Sequence, residues 1–197
     1  MDTHSLTPEL IAACQRGDQA ACTQFFEATA PSIYRLACSV LLHEQDAEDV
    51  LQEVFTYAFR NLHQYDPARG AVSTWLYTIT VSRCRNARRR KTLPMLDLAQ
   101  VLRLGMEPAD PQDDGPEATA IRREAHHALA QALETLSPRL REAVALRYGQ
   151  GLTYREMSAV LNCPEKTAES RVRLAHDALR QAMHAADIRK LAELLPG

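Results

Sequence analysis

The chain has 197 residues, 46% of them hydrophobic, and a formal net charge of −2 at pH 7. This length holds one domain or two small ones, with enough apolar surface for one or two small cores. The sequence has no apolar run of 18 residues and no basic segment leading into an apolar one at its start. It therefore predicts neither a transmembrane helix nor an export signal.

The small net charge is the average of three blocks of different sign. Residues 1–91 carry ten basic and ten acidic side chains, residues 92–117 one and six, and residues 118–197 twelve and nine. Because phosphate binding depends on local charge, the two outer blocks remain candidates for binding nucleic acid. The middle block is rich in Pro, Asp and Gly from Glu107 onward, which predicts a flexible acidic linker over residues 92–118.

The five cysteines are odd in number and form no CxxC pair: Cys14, Cys22, Cys38, Cys84 and Cys163. Most fall on the apolar faces of predicted helices. We interpret them as reduced core cysteines of a cytosolic protein, with a redox or metal role as the alternative.

Three short helices are predicted before residue 43. Thr7 and Pro8 have the residue types of an N-cap and a first helical position, so a helix should begin there. A second helix is expected over about residues 19–29. Pro31 is expected to interrupt the chain and restart it as a third helix that runs to about Leu42.

The clearest helical pattern lies over Asp46–Leu62, with Asp46 as the expected N-cap. Its apolar side chains recur at spacings of three and four: Ala47, Val50, Leu51, Val54, Phe55, Ala58, Phe59 and Leu62. This spacing predicts one broad face packed on a core. The opposite face stacks Asp46, Asp49 and Glu53, whose like charges do not stabilise a helix. That carboxylate face is either solvated or docks a basic partner helix, and position alone does not decide.

A loop over residues 64–72 leads to another helix, which Ser73 or Thr74 is expected to cap. Six positive charges crowd the last nine residues of this helix: Arg83, Arg85, Arg88, Arg89, Arg90 and Lys91. They exceed what the helix dipole attracts, and no acid stands among them. Contact with a phosphate backbone is the functional interpretation. A solvated helix end, paired with the acidic linker, is the alternative.

Two aromatic residues near the same loop suggest the handling of single-stranded nucleic acid. Trp75 and Tyr77 could stack on unpaired bases while the arginines follow the phosphates. Core packing is the alternative for both rings, and it is the expected place for Trp75.

The last block predicts a helix-turn-helix. A helix over about residues 119–136 is followed by Ser137 and Pro138, which are again typical of a helix start, and by a helix with Leu140, Val144 and Tyr148 spaced by four. A T-x-x-E capping box, Thr153 to Glu156, opens a short helix. Pro164 opens a longer one whose outer positions include Lys166, Thr167, Glu169, Ser170, Arg171 and Arg173. A longer basic second helix fits the DNA major groove, although an ordinary helical hairpin has the same spacing.

Two stretches of the chain together resemble bacterial extracytoplasmic-function sigma factors. DAEDVLQEVFTYAFRNLHQYDP, followed by STWLYTITVSRCRN and the RRRK run, is similar to their region two. LETLSPRLREAVALRYGQGLTYREMSAVLNCPEKTAESRVRLAHDALR is similar to their region four. The resemblance covers about 150 residues in the family's order. It implies an all-α protein of two small helical domains: region two over 5–91, the acidic linker over 92–118, region four over 119–186, and a C-terminal tail over 187–197.

The resemblance implies a cytoplasmic transcription initiation factor that directs core RNA polymerase to promoters. It implies no enzyme activity, cofactor, metal or small-molecule substrate, and the sequence has no Gly-rich phosphate loop or GxSxG motif. Asp49, Gln52 and Glu53 match the element D-x-x-Q-E that docks on the β′ clamp helices of the polymerase, and Asp46 lies on the same face. The β flap is the other implied polymerase contact. An anti-sigma factor, often membrane-bound, is an expected partner, and the apolar strip Leu96–Leu104 is a candidate contact for it.

The resemblance also implies two DNA-binding surfaces. The loop before Trp75 matches the segment that captures a flipped base of the minus-ten element, and the basic helix end would contact its phosphates. The minus-ten candidates are Asp66, Arg69, Trp75, Tyr77, Arg83, Arg85, Arg88, Arg89 and Arg90. The minus-thirty-five candidates are Lys166, Thr167, Ser170, Arg171 and Arg173.

The chain departs from the family at Glu169, Leu174 and His176, where basic residues are usual. Lost phosphate contacts predict a weak or unusual reading of the minus-thirty-five element. A helix-turn-helix regulator that acts without core polymerase is the alternative function, but it does not explain the carboxylate face. The sequence leaves open whether the two domains are splayed or packed together.

Overall fold

The structure, a computed structural model, describes residues 6–90 and 129–183, and all regular structure within these ranges is helical. The α-helices are α1 (Pro8–Gln15), α2 (Gln19–Leu41), α3 (Glu44–Asn61), α4 (Val72–Arg90), α5 (129–135), α6 (Pro138–Val144), α7 (Tyr154–Leu161) and α8 (Glu165–Ala182). The predicted all-α fold is confirmed. The predicted linker, the apolar strip and the C-terminal tail lie outside the described residues.

Helices α1 to α4 form an N-terminal bundle in which α2, α3 and α4 pack against one another. Its centre is fully buried and includes Phe25, Ile33, Leu36, Val54 and Leu76. Burying a side chain of this size stabilises the fold by about 1.5–3 kcal/mol. The inward face of α3 is the one that the apolar spacing predicts, except that Phe59 is 39% exposed, and the opposite, polar face is left at the surface.

The predicted break at Pro31 is wrong, because α2 runs without interruption through it. The proline ring lies on the exposed side of the helix, while Ala30 and Ser32 beside it are buried. Thr29 donates its hydroxyl to the Phe25 carbonyl at 2.7 Å, and Ser32 donates to the Thr29 carbonyl at 2.9 Å. Apolar burial on both sides of the proline outweighs the loss of one helical hydrogen bond.

Two predicted helix starts are also wrong by a few residues. Helix α3 begins at Glu44 with His43 as its N-cap, whose Nδ1 accepts the Asp46 N–H at 3.3 Å, so Asp46 lies inside the first turn. Helix α4 begins at Val72, which places the expected caps Ser73 and Thr74 inside that helix.

Helices α5 to α8 form a C-terminal unit that contains the predicted helix-turn-helix. The capping box is confirmed: the Glu156 N–H donates to the Thr153 hydroxyl at 3.3 Å, and the Thr153 N–H donates to the Glu156 carboxylate at 2.8 Å. Asn162 ends α7 in the left-handed region, with φ of 50°. Ala168, Val172 and Ala175 of α8 are buried.

Helix α6 departs from the predicted pattern because its period changes. At Ala145 it continues as a π-helical turn through Gly149. Tyr148, inside this wider turn, is 59% exposed, whereas Glu142 and Ala143 before it are buried. The expected face of Leu140, Val144 and Tyr148 is therefore not the buried one.

The two units pack against each other, with α7 on α4 and with α6 and the π-helical turn on α2. Arg141 joins them. Its guanidinium donates to the Val40 carbonyl at the end of α2 (3.3 Å) and to the Leu133 and Leu136 carbonyls in and just after α5 (3.1 Å each). Burial lowers the pKa of Arg141 to about 10, so the side chain stays charged at neutral pH. A cation at these carbonyls complements the negative ends of both helices.

Candidate polymerase and DNA interfaces

The predicted carboxylate face lines one groove of about 800 Å³ on the N-terminal bundle. Asp46, Asp49, Gln52 and Glu53 of α3 form one wall, and Arg83 and Arg90 of α4 form the other. Asp49 and Gln52 are exposed, whereas Asp46 and Glu53 are half-buried. The structure therefore places together all four residues that the sequence predicts for polymerase binding.

Glu53 is already paired within the bundle. Its carboxylate lies 2.8 Å from Arg90 Nη2 and 3.9 Å from Arg83 Nη1. Hydrogen bonding to Glu53 raises the pKa of Arg90, and the Arg83 guanidinium also lies 5.1 Å from the centre of the Tyr57 ring. Asp49 and Gln52 are exposed in this groove, as are Thr56 and Arg60.

The loop before α4 is built from two short 3-10 turns. Asp66 accepts the Ala68 N–H at 2.9 Å and so caps the second turn, Pro67–Arg69. The Tyr65 hydroxyl donates to the Gly70 carbonyl at 3.0 Å, and the Tyr65 ring lies 5.8 Å from that of Trp75. Gly70 has a φ of 145°, which favours glycine. Arg69 is exposed on this turn, and Trp75 is half-buried behind it.

One predicted minus-ten residue is misplaced. The Tyr77 side chain is only 3% exposed and packs in the bundle core, where burial raises its pKa. It presents no ring face to a base, so we remove Tyr77 from the DNA-contacting candidates. Core packing, the alternative considered from the sequence, is the correct interpretation of this residue.

The arginines at the end of α4 divide between two faces of the helix. Arg83 and Arg90 point to Glu53, as described above. Arg85 and Arg88 point to the C-terminal unit, where both bind Glu142. Arg85 donates from Nη2 at 2.7 Å and from Nε at 3.2 Å, and Arg88 donates from Nη2 at 2.7 Å. We call Arg85, Arg88 and Glu142 the interdomain ion-pair cluster.

Glu142 is fully buried, and its hydrogen bond raises the pKa of Arg85. The cluster borders a cavity of about 500 Å³ that five arginines line together with this carboxylate: Arg85, Arg88, Arg89, Arg139 and Arg171. One buried Nη1 atom of Arg88 and one of Arg171 make no hydrogen bond. Five guanidinium groups around one carboxylate leave a strong excess of positive charge between the units.

Glu142 is the residue that sequence reasoning missed. A glutamate between Arg141 and Ala143 is typical of a solvated helix position. The packing of two distant segments buries it, and such packing has no local signal. Its arginine partners lie 54 and 57 residues away in the chain.

The predicted minus-thirty-five residues lie on the first half of α8, but not all in one direction. Lys166 and Arg173 are exposed, and Thr167 and Ser170 are half-buried. Arg171 instead lines the cavity between the units. Glu169 is exposed among the basic residues, and Leu174 is 50% exposed. His176 stacks on Tyr148 with ring centres 5.2 Å apart.

The cysteines are unpaired, and three of them are buried. Burial raises the pKa of Cys14 and of Cys84 to about 12 and that of Cys38 to about 11, which disfavours their reactive thiolate forms. Among residues 6–90 and 129–183 no three His, Cys, Asp or Glu side chains converge as metal ligands. No helix within these ranges is both long and apolar enough to cross a bilayer.

Comparison with known families matches both units. The Sigma-70 region 2 family matches residues 25–93, and the Sigma-70, region 4 family matches residues 126–179. The ECF RNA polymerase sigma factor SigK of Mycobacterium tuberculosis is 30% identical over 171 residues, which cover 87% of this chain and 88% of SigK. The RNA polymerase sigma-H factor of Pseudomonas aeruginosa is 31% identical over 190 residues, which cover 93% and 96%.

Two solved structures share the fold. CnrH, in complex with the cytosolic domain of CnrY, aligns over 88% of this chain and 94% of its own with a TM-score of 0.63 and 24% identity. The sigma factor RpoE of Bartonella quintana, in complex with the anti-sigma factor NepR, aligns over 81% and 94% with a TM-score of 0.64 and 21% identity. With both regions matched in order and relatives aligned over almost their whole length, the chain belongs to the extracytoplasmic-function sigma factors, the transcription initiation factors that direct core RNA polymerase to promoters.

Proposed function

We propose that this sigma factor docks on the β′ clamp helices of core polymerase through the carboxylate face of α3. The observation that carries this role is the exposure of Asp49 and Gln52 beside Glu53, on the side of α3 away from its core. Asp46 suits the helix dipole in the first turn of α3 and Glu53 is paired with Arg90, whereas the exposed Asp49 suits a basic partner. Charge complementarity of this kind sets orientation and association rate more than affinity.

Promoter DNA is assigned to two further surfaces. The turn that carries Asp66 and Arg69, with Trp75 behind it, would hold an unpaired base of the minus-ten element. The arginines of α4 would follow its phosphates. On α8, the exposed or half-buried Lys166, Thr167, Ser170 and Arg173 would read the minus-thirty-five element in the major groove, and Arg171 would join them only after leaving the cavity.

Glu169 weakens this second surface, since it places a negative charge among the phosphate-binding groups. The replacement Glu169→Lys should tighten binding to a promoter fragment and increase the salt slope by about one unit, as expected for one added phosphate contact. Binding by fluorescence anisotropy across a salt series measures both. An unchanged affinity would remove Glu169 from the interface.

An anti-sigma factor is the proposed regulator, since two similar folds are solved with CnrY and with NepR. The role requires no catalytic residue, cofactor or metal, and it places the protein in the cytoplasm with polymerase and DNA. Recruitment to the membrane would come only through such a partner. The β flap is the proposed polymerase contact of the C-terminal unit.

Assembly with core polymerase tests the proposal. The double variant Asp49→Lys/Glu53→Lys should bind core polymerase at least about 100-fold more weakly, because like charges across an interface cost several kcal/mol. Asp49→Lys alone should also weaken binding, and it leaves the ion pair between Glu53 and Arg90 in place. Anisotropy of labelled protein titrated with core polymerase gives the affinities, and circular dichroism checks the fold.

The matched control is Glu9→Lys/Glu27→Lys, which changes the charge equally at two exposed positions of α1 and α2. It should bind polymerase as the unaltered protein does. Undiminished binding by both Asp49 variants would favour the alternative, a helix-turn-helix regulator that acts without polymerase.

A further inference from the structure

We infer that the packed arrangement of the two units is autoinhibitory: Glu142 occupies the phosphate-binding positions of Arg85 and Arg88 and holds the C-terminal unit against the basic face of α4. This inference rests on the DNA-binding role proposed above for α4. It adds an internal regulator of that surface, carried by the same chain.

The contacts of Glu142 resemble those of a bound phosphate. One carboxylate receives both Nε and Nη2 of Arg85, and its other oxygen receives Nη2 of Arg88. Arginine forms the same short, forked hydrogen bonds with carboxylates and with phosphates. Because Glu142 already accepts from these donor groups, a DNA phosphate cannot use them while the units stay packed.

Releasing the two arginines requires the C-terminal unit to move as a body. The residue before Glu142 is Arg141, which binds the end of α2, and α7 packs on α4 close to the same place. Glu142 therefore cannot leave by a change of rotamer alone. Opening would expose Arg85 and Arg88, and it would also free Arg171, which now lines the cavity on the other side.

The packed state depends on this single carboxylate. Five arginines converge there, and buried Nη1 atoms of Arg88 and Arg171 make no hydrogen bond. Without Glu142 the guanidinium groups would repel one another across the interface. Promoter DNA brings phosphates that replace the lost carboxylate, so DNA binding and opening should favour each other.

The test uses the full chain and the isosteric variant Glu142→Gln. Small-angle scattering should show a larger radius of gyration than for the unaltered protein. Affinity for a promoter fragment with the minus-ten element should rise roughly tenfold, as expected if about one molecule in ten of the unaltered protein is open. The matched control is Asp177→Asn, which removes one exposed carboxylate of α8 and should change neither quantity.

The inference is overturned if Glu142→Gln expands without gaining affinity, or if it neither expands nor gains affinity. Circular dichroism identifies loss of folding in the variant. If the variant does not fold, the unaltered protein provides the test. Its radius of gyration must increase on titration with the same DNA, and binding without that increase also overturns the inference. Failure of the proposed function is a separate result, since it appears as absent promoter binding by the unaltered protein assembled with core polymerase.

Discussion

Two glutamates bind four of the five arginines of α4, and the surroundings of these glutamates differ sharply. Glu53 receives Arg83 and Arg90 from within its own bundle, and its side chain is 32% exposed. Glu142 receives Arg85 and Arg88 from the other unit, and its side chain is fully buried. One helix end thus takes part in two ion-pair clusters on opposite faces, one around a partly exposed carboxylate and one around a buried carboxylate.

This difference in burial distinguishes a surface that can bind partners from a contact that holds the two units together. An ion pair that water can reach contributes little to stability, so the half-buried Glu53 and its arginines can exchange partners at small cost when polymerase or DNA arrives. A buried carboxylate cannot lose its partners without leaving charges stranded in the interior. The same residue types at similar distances therefore form exchangeable ion pairs at Glu53 and a fixed contact between the units at Glu142.

The largest expected effect separates these two glutamates by stability. Glu142→Ala should lower the free energy of unfolding by about 3 kcal/mol, because it strands two partly buried guanidinium groups. Glu53→Ala should leave the urea midpoint almost unchanged, since its partners turn to water. Urea denaturation of the full chain, followed by circular dichroism, measures both. Equal losses in the two variants would show that burial does not distinguish the clusters.

A smaller effect is expected from the neighbour of Glu142. Arg141→Ala removes a half-buried donor from the carbonyls of Val40, Leu133 and Leu136 and should cost about 2 kcal/mol, the scale of hydrogen bonds to a charged group. The protein should also expand in small-angle scattering, because the joint to α2 is lost. Arg155→Ala, an exposed arginine of α7, is the control and should leave both measurements unchanged. A loss of stability without expansion would restrict Arg141 to capping α5.

The fold was predictable wherever local chemistry decides it. The apolar spacing of α3, the cap at Thr7 and the capping box at Thr153 act within a few residues, and all three are confirmed apart from Phe59, which is 39% exposed. The predicted break at Pro31 is wrong because the burial around the proline, a property of the whole bundle, outweighs its local preference against the helix interior. The predicted buried face of α6 is wrong because nothing in the sequence indicates the π-helical turn that follows it.

The candidate site was predictable in its residues but not in its pairing. The sequence identified the α4 arginines and the carboxylate face, and their proximity in one groove follows from the packing of α3 on α4. No acid stands among these arginines along the chain, but the fold brings two glutamates into contact with them. Glu53 lies 37 residues from Arg90, and Glu142 lies 57 residues from Arg85. Which carboxylate meets which arginine is set by tertiary packing.

The smallest expected effect concerns a third glutamate, Glu156, whose bonds stay within its own turn. Thr153→Ala should cost about 1 kcal/mol, the usual value of an N-cap, without expanding the protein.

Hydrogen bonds from Thr153 lower the pKa of Glu156 below its ordinary 4.5. The stability that Glu156 adds should therefore be complete above pH 4.5 and disappear as the pH falls through the lowered value. Urea midpoints of the unaltered protein and of Glu156→Gln, taken from pH 7 to pH 3, should converge towards the acid end. A constant difference between the two urea midpoints would mean that the carboxylate charge contributes nothing to the cap. A pH-dependent change in the radius of gyration would instead show that Glu156, like Glu142, joins the two units.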